Sequence, residues 1–210
     1  MIDISYYNYD LGKDFDKSVR SKFYTQLDNE YSFATNQFLD EELHSQILKL
    51  KDDFKHFVIV GMGGSFNNPY NVTNFLNIDN IDFLHSIDPL YIMPRLQKFD
   101  VKETAFIFIS KSGKTKEVLA LYDTIISLYQ TKPKAIAITE DDASPLGIRA
   151  KNDGYDVLKH AAAPGRFAAF SIITYLVLLL RGGKDSVKEF CKGGADALSD
   201  FLDEKNNNLS

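Results

Sequence analysis

The sequence predicts an α/β protein built on a five-stranded, parallel, doubly wound sheet that follows an N-terminal helical extension. Two observations support this fold class. Short apolar runs recur at intervals of roughly 25–30 residues, and segments with helical spacing or helix-start residues separate them. Strands that are short, apolar and alternate with helices are typical of βαβ units, in which the strands lie parallel.

The extension is predicted to cover residues 1–55. This segment is polar and aromatic and has no strand pattern. Its clearest helical spacing lies near its end, at Leu43, Ile47, Leu50 and Phe54. We expect the extension to pack on the domain that follows it.

The sheet domain is predicted to cover residues 56–202, and residues 203–210 are predicted to form a polar tail or linker. The five strand candidates are FVIVG at 57–61, DFLHSID at 82–88, AFIFIS at 105–110, KAIAIT at 134–139 and the weaker YDVLKH at 155–160. Residues 116–129 carry an apolar helical face. The apolar run 167–180 is shorter than the about 20 residues that span a bilayer, so we expect a buried core helix.

The composition argues against several classes of function. The net charge of −5 gives no electrostatic support for nucleic-acid binding. Cys191 is the single cysteine and cannot form an internal disulfide, and the N-terminus lacks a secretory signal, so we expect a cytoplasmic protein. The four histidines have no metal-ligand spacing, and we expect neither a metal nor another cofactor.

The loop after the first strand is rich in glycine. Ligands of doubly wound sheets bind at the carboxyl ends of the strands, so the loops there are the first candidates for a site. GMGGSFNNP, residues 61–69, allows a tight turn into a helix. Gly61 and Gly63 match part of a dinucleotide-binding fingerprint, but Phe66 stands at its third glycine. An NAD-dependent oxidoreductase and a purely structural turn are the alternatives for this loop alone.

The loop after the third strand, SKSGKT, combines hydroxyls with lysines at the start of a predicted helix. Its hydroxyl and lysine residues are Ser110, Lys111, Ser112, Lys114 and Thr115. The free N–H groups and the dipole of a helix N-terminus favour an anion, and hydroxyls can complete the ring of donors around a phosphate. The alternative is that the hydroxyls only cap the helix, for which one of them would suffice.

Arg166 follows the fifth strand and precedes the long apolar run. A cation at a helix start is unfavourable with the helix dipole, which suggests a role in binding an anion or a developing oxyanion. An ordinary surface arginine is the alternative.

Five sequence blocks, in this order, resemble one family. They are VGMGGSFNNP, FLHSID, FISKSGKTKEV, ITEDDASPL and PGRFAAFSII. Together they are similar to the N-terminal half of the glucose-6-phosphate isomerase (phosphoglucose isomerase) family, which is a sugar isomerase (SIS) domain of flavodoxin-like fold. The resemblance covers roughly Phe57 to Leu202.

The resemblance implies a function and a set of site residues. The implied reaction interconverts glucose 6-phosphate and fructose 6-phosphate through a cis-enediolate, in glycolysis and gluconeogenesis, and the implied assembly is a homodimer. The implied roles are sugar contact for Gly64 and Ser65, phosphate binding for Ser110, Ser112 and Thr115 with Lys111 beside them, and stabilisation of the enediolate charge for Arg166.

The chain also departs from the family pattern. Pro164, Lys114 and Asn68 replace a usual glycine, a hydroxyl residue and a glycine, respectively. The family's catalytic glutamate, histidine and lysine lie in its second half, and neither Glu189 nor Glu204 stands in a matching motif. We therefore expect an N-terminal fragment or a truncated protein that is inactive alone. The alternative function is a standalone SIS module that binds a phosphosugar without chemistry.

Overall fold

Five parallel strands form the predicted sheet, which the computed structural model describes within residues 41–160 and 169–202. The strands are β1 (His56–Gly61), β2 (Ile81–Leu84), β3 (Thr104–Ile109), β4 (Lys134–Thr139) and β5 (Asp156–Lys159). They lie in the order β2-β1-β3-β4-β5, which is the flavodoxin-like doubly wound order. The predicted fold class is confirmed.

Seven helices accompany the strands in the described ranges. They are α1 (Glu41–Asp53), α2 (Gly64–Phe75), α3 (Pro89–Leu96), α4 (Lys116–Leu128), α5 (Pro145–Asn152), α6 (Ile172–Gly182) and α7 (Lys184–Leu202). Residues 41–160 and 169–187 belong to one compact unit, which contains the whole sheet. Residues 188–202 are the described part of a second unit and are helical.

One face of the sheet forms an apolar core with three helices. The register places Val60 beside Phe108 and Phe108 beside Ala137, so these side chains share a face. The helical side of this core comes from Ile92 and Leu96 of α3, Val118, Leu121, Tyr122 and Ile125 of α4, and Leu146 and Ala150 of α5. Burial of this apolar surface is what holds these helices to the sheet.

The opposite face is also buried. Ile59 lies between Phe83 and Ile107 in the register, and Ile59 and Ile107 are fully buried. Helix α2 packs against β1 and β2, and α6 packs against both α1 and α2. Every side chain from Ile172 to Leu180 is buried, which confirms the predicted core helix. None of the helices in the described ranges is both long and apolar enough to cross a bilayer.

The second strand is shorter than predicted. It ends at Leu84, whereas the sequence pattern extended to Asp88. Asp88 instead caps α3: its side chain accepts a hydrogen bond from the Leu90 N–H, and Pro89 occupies the first helical position. Because the chain turns into this helix cap, residues 85–88 lie outside the strand.

Within the predicted extension, α1 is described and residues 1–40 lie outside the described residues. Ile47 and Leu50 of α1 are buried, in agreement with the predicted apolar spacing. The tail 203–210 also lies outside the described residues.

Candidate functional site

An open cavity of about 680 Å³ lies at the carboxyl ends of the central strands. Its lining comes from the loops that follow β1, β3 and β4 and from the start of α2. The lining residues are Met62, Gly63, Gly64, Ser65, Asn67, Lys111, Ser112, Thr115 and Glu140. The cavity thus occupies the position at which doubly wound sheets bind their ligands.

The glycine loop leads into α2 without a side-chain cap. A Cβ on Gly61 would lie 3.0 Å from the Ser65 carbonyl oxygen, so glycine permits the close turn there. Gly63 is the N-cap of α2 at φ 57°, and no atom lies within 4 Å of where its Cβ would be. No side chain caps the start of α2, and the N–H groups of Ser65 and Phe66 donate to the Met62 and Gly63 carbonyls at 3.2 and 3.1 Å. Phe66 stands where the dinucleotide-binding fingerprint has its third glycine. Its ring stacks on that of His85, with the ring centroids 4.1 Å apart.

The hydroxyl loop leads into α4, whose N-cap residue does not cap it. Thr115 stands at the N-cap position, yet its side chain makes no capping hydrogen bond. Its Oγ1 instead lies 2.8 Å from Oγ of Ser110, which is 2% exposed. Ser112 Oγ accepts a hydrogen bond from the Lys114 N–H at 3.2 Å. The α4 N-terminus thus retains donors for an anion, contrary to the alternative of hydroxyls that only cap the helix.

Gly113 fixes the shape of this loop. Its φ is 62°, and a Cβ there would lie only 2.0 Å from Oγ of Ser144. The Gly113 N–H donates to the Ser110 carbonyl at 2.9 Å, and the Gly113 carbonyl accepts from the Leu146 N–H at 3.0 Å. Backbone hydrogen bonds therefore hold the turn against the start of α5, at a distance from Ser144 that only glycine permits.

Lys111 is held by the end of β4. Its carbonyl accepts hydrogen bonds from the Glu140 N–H at 2.9 Å and from Thr139 Oγ1 at 3.1 Å. Its Nζ forms an ion pair with Glu140 Oε1 at 3.3 Å. Both side chains are about one-third exposed, at 31% and 35%. This pair places one cation and one carboxylate in the cavity wall.

The structure brings most of the predicted site residues together. The same cavity is lined by Gly64, Ser65, Lys111, Ser112 and Thr115. Ser110 lies buried beneath the wall and reaches it through its bond to Thr115. Arg166 lies outside the described residues.

Sequence reasoning missed Met62, Gly63, Asn67 and Glu140 as lining residues. Glu140 directly follows β4, so the rule that ligands bind at strand ends could have found it. Across the described ranges, no group of three or more His, Cys, Asp or Glu residues is placed to hold a metal ion.

Comparisons with known proteins identify relatives of this chain. The sequence profile of the phosphoglucose isomerase family matches residues 40–208. The glucose-6-phosphate isomerase of Borreliella burgdorferi strain ZS7 is 29% identical over 205 residues, which cover 90% of this chain and 37% of that protein. The chain therefore spans little more than a third of the length of this curated relative.

Solved structures share the fold. A glucose-6-phosphate isomerase from Chlamydia trachomatis has a TM-score of 0.65 and 24% identity, over 90% of this chain and 36% of that one. The NanR protein of Vibrio vulnificus, solved in complex with ManNAc-6P, has a TM-score of 0.52 and 16% identity, over 85% of this chain and 70% of that one.

Proposed function

The chain belongs to the phosphoglucose isomerase family, and we propose that its cavity binds glucose 6-phosphate and fructose 6-phosphate by their phosphate end. The observation that carries the proposal is the uncapped start of α4. A helix whose N-cap threonine is turned to another hydroxyl keeps N–H donors without a capping side chain, and this threonine lines a cavity that also holds a lysine. Donors arranged in this way match the oxygens of a phosphate.

We assign a role to each predicted residue. Ser112, Thr115 and Lys111 contact the phosphate, and Ser110 orients the Thr115 hydroxyl from below. Gly64 and Ser65, across the cavity, contact the sugar. Arg166 stabilises the negative charge of the cis-enediolate, a role that rests on the family resemblance alone.

Calorimetric titration with fructose 6-phosphate tests the binding proposal. We expect saturable binding by the unmodified chain and no binding of unphosphorylated fructose. The Ser112→Ala/Thr115→Ala variant should bind at least about tenfold more weakly, because two hydrogen bonds to a charged group are lost. Equal affinity for fructose and its phosphate would contradict the proposal. Ser127→Ala, on the exposed surface of α4, is the matched control and should bind normally.

We further propose that this chain binds the substrate and does not isomerise it alone. Aldose–ketose isomerisation removes a proton from the carbon next to the carbonyl and needs a positioned base. The lining carboxylate, Glu140, pairs with Lys111 at the proposed phosphate end, whereas the proton to be removed lies in the sugar, next to its carbonyl. A coupled isomerase assay at high protein concentration should show no turnover, and turnover would overturn this part of the proposal.

A phosphosugar-binding module is the second candidate. The observation that favours it is the NanR protein, which shares this fold and was solved in complex with ManNAc-6P. To separate the candidates, this chain is mixed with the part of a related glucose-6-phosphate isomerase that lies beyond the region matched by this chain. Proton exchange next to the carbonyl of fructose 6-phosphate is then measured in deuterated water. An isomerase half should restore exchange, and a pure binding module should not.

The homodimer implied by the family resemblance is kept as a proposal. A light-scattering mass tests it: twice the chain mass of 23.8 kDa is expected, and a mass that stays at the monomer value at high concentration would contradict it.

A further inference from the structure

Two buried hydroxyls connect the start of α5 to the loop that carries the proposed phosphate site. Thr139 is the last residue of β4 and Ser144 is the N-cap of α5, and their side chains are 1% and 2% exposed. Thr139 Oγ1 lies 3.1 Å from the Lys111 carbonyl oxygen and 3.3 Å from Ser144 Oγ. Ser144 Oγ also accepts a hydrogen bond from the Gly147 N–H at 3.3 Å. Hydrogen bonds therefore run from the first turn of α5 to the Lys111 carbonyl.

The direction of these hydrogen bonds follows from the groups involved. A carbonyl oxygen can only accept, so the single proton of the Thr139 hydroxyl is used on the Lys111 carbonyl. Ser144 then donates to Thr139 while it accepts from the Gly147 N–H, and this arrangement satisfies both hydroxyls. Because successive hydrogen bonds in a buried series polarise one another, the Lys111 carbonyl is held more firmly than by an isolated hydroxyl.

The bond from Thr139 also orients the amide next to the Lys111 carbonyl. That carbonyl accepts from Thr139 Oγ1 and from the Glu140 N–H, so it points towards the end of β4. The Lys111–Ser112 peptide is trans, which directs the Ser112 N–H away from β4. Among the described residues no acceptor takes this N–H, and Ser112 lines the cavity. The orientation of an unpaired donor beside the cavity thus depends on the Thr139 hydroxyl.

We infer that Thr139 is a positioning residue, which orients the Lys111–Ser112 peptide for the phosphate without touching the ligand. The inference deepens the proposed function and rests on it. Thr139 is buried and is not part of the cavity lining, so its hydroxyl acts only through the loop that it holds. A purely structural role would lower stability without a selective loss of phosphate binding.

The test measures binding of fructose 6-phosphate and of inorganic phosphate to Thr139→Val and Thr139→Ser, by NMR titration of the backbone amides. Valine keeps the shape of threonine and removes the hydroxyl, whereas serine keeps the hydroxyl. We expect Thr139→Val to bind both ligands about five- to tenfold more weakly and by the same factor, because the disturbance lies at the phosphate end. Thr139→Ser should bind both within about twofold of the unmodified chain. If Thr139→Val does not fold, Thr139→Ala takes its place with the same expectation.

Thr104→Val is the matched control. Thr104 is also a buried strand threonine, at 1% exposure, but it begins β3 at the opposite end of the sheet. Its hydroxyl has no hydrogen-bond partner among the described residues, so this variant should leave both affinities unchanged.

Three results would each overturn the inference while leaving the proposed function intact. They are unchanged binding by Thr139→Val, weak binding by Thr139→Ser, and a loss for fructose 6-phosphate that inorganic phosphate does not share. Equal weakening by Thr104→Val would also overturn it, because the effect would then not depend on the bond to Lys111. No binding of fructose 6-phosphate by the unmodified chain would overturn the proposed function and the inference together.

Discussion

At the scale of single residues, the site depends on a pair of hydroxyls rather than on independent groups. Ser110 is buried, and its hydroxyl is paired with that of Thr115. Removing the Thr115 hydroxyl leaves the buried Ser110 hydroxyl unsatisfied, whereas removing both hydroxyls leaves no unpaired group. The pair therefore links the stability of the loop to the donors presented to the ligand.

A double-mutant cycle tests this coupling. Thr115→Ala should cost about 1–3 kcal/mol in the free energy of unfolding, because it strands the buried Ser110 hydroxyl. Ser110→Ala should cost less, because Thr115 is partly exposed and water can satisfy it. The double variant should be more stable than the sum of the single effects predicts, while sugar-phosphate binding stays weak. Strict additivity in urea unfolding would contradict the coupling.

A second residue-scale prediction concerns Tyr122, whose hydroxyl donates to Asp153 Oδ2 at 2.6 Å beneath α4. Burial, and then the hydrogen bond to Asp153, raise the pKa of Tyr122 well above its ordinary value of 10.0. Because the folded pKa is the higher one, this stabilisation is full below about pH 10 and falls as the unfolded tyrosine ionises. Tyr122→Phe should cost about 1.5–3 kcal/mol at about pH 7, and the difference should narrow above about pH 10. A difference in the free energy of unfolding that stays constant from neutral pH to about pH 11 would contradict this account.

At the scale of elements, the loop between β3 and α4 needs glycine both for its positive φ and for its close contact with Ser144. A comparison with Gly63, in the loop between β1 and α2, separates the two reasons. Gly113 and Gly63 both have positive φ, of 62° and 57°, but only Gly113 would place a Cβ against another residue. Gly63→Ala should therefore cost about 1–3 kcal/mol for its positive-φ backbone, and Gly113→Ala distinctly more. Thermal unfolding of the two variants measures this, and equal losses would mean that the contact with Ser144 is unimportant.

The elements show what a sequence can and cannot predict. Apolar runs located all five strands, and most clearly β1, β3 and β4, because burial on both faces leaves a continuous apolar signal there. The end of β2 was placed too late, since Ile87 fits a strand pattern while Asp88 and Pro89 form a helix cap. The pairing of Lys111 with Glu140 was missed, because it depends on the register of β3 and β4 rather than on spacing along the chain. The hydroxyl cluster was recognised, but not that Ser110 faces inward.

At the scale of the whole molecule, the order of the strands explains why the site is where it is. β1 and β3 are adjacent in the sheet although a strand and two helices separate them in sequence. The glycine loop and the hydroxyl loop therefore meet at one edge, with the β4 end beside them. Strand order, rather than nearness along the chain, is thus what assembles the cavity.

The most direct test of the account is a backbone-amide NMR titration of the chain with fructose 6-phosphate. We predict that the largest shifts fall on the amides at the starts of α2 and α4, above all those of Gly64, Ser65, Ser112 and Thr115, and on Glu140. Titration with fructose should leave these amides unmoved. Shifts that concentrate elsewhere, or that are the same for both sugars, would contradict the claim that this cavity binds a sugar phosphate with its phosphate at the start of α4.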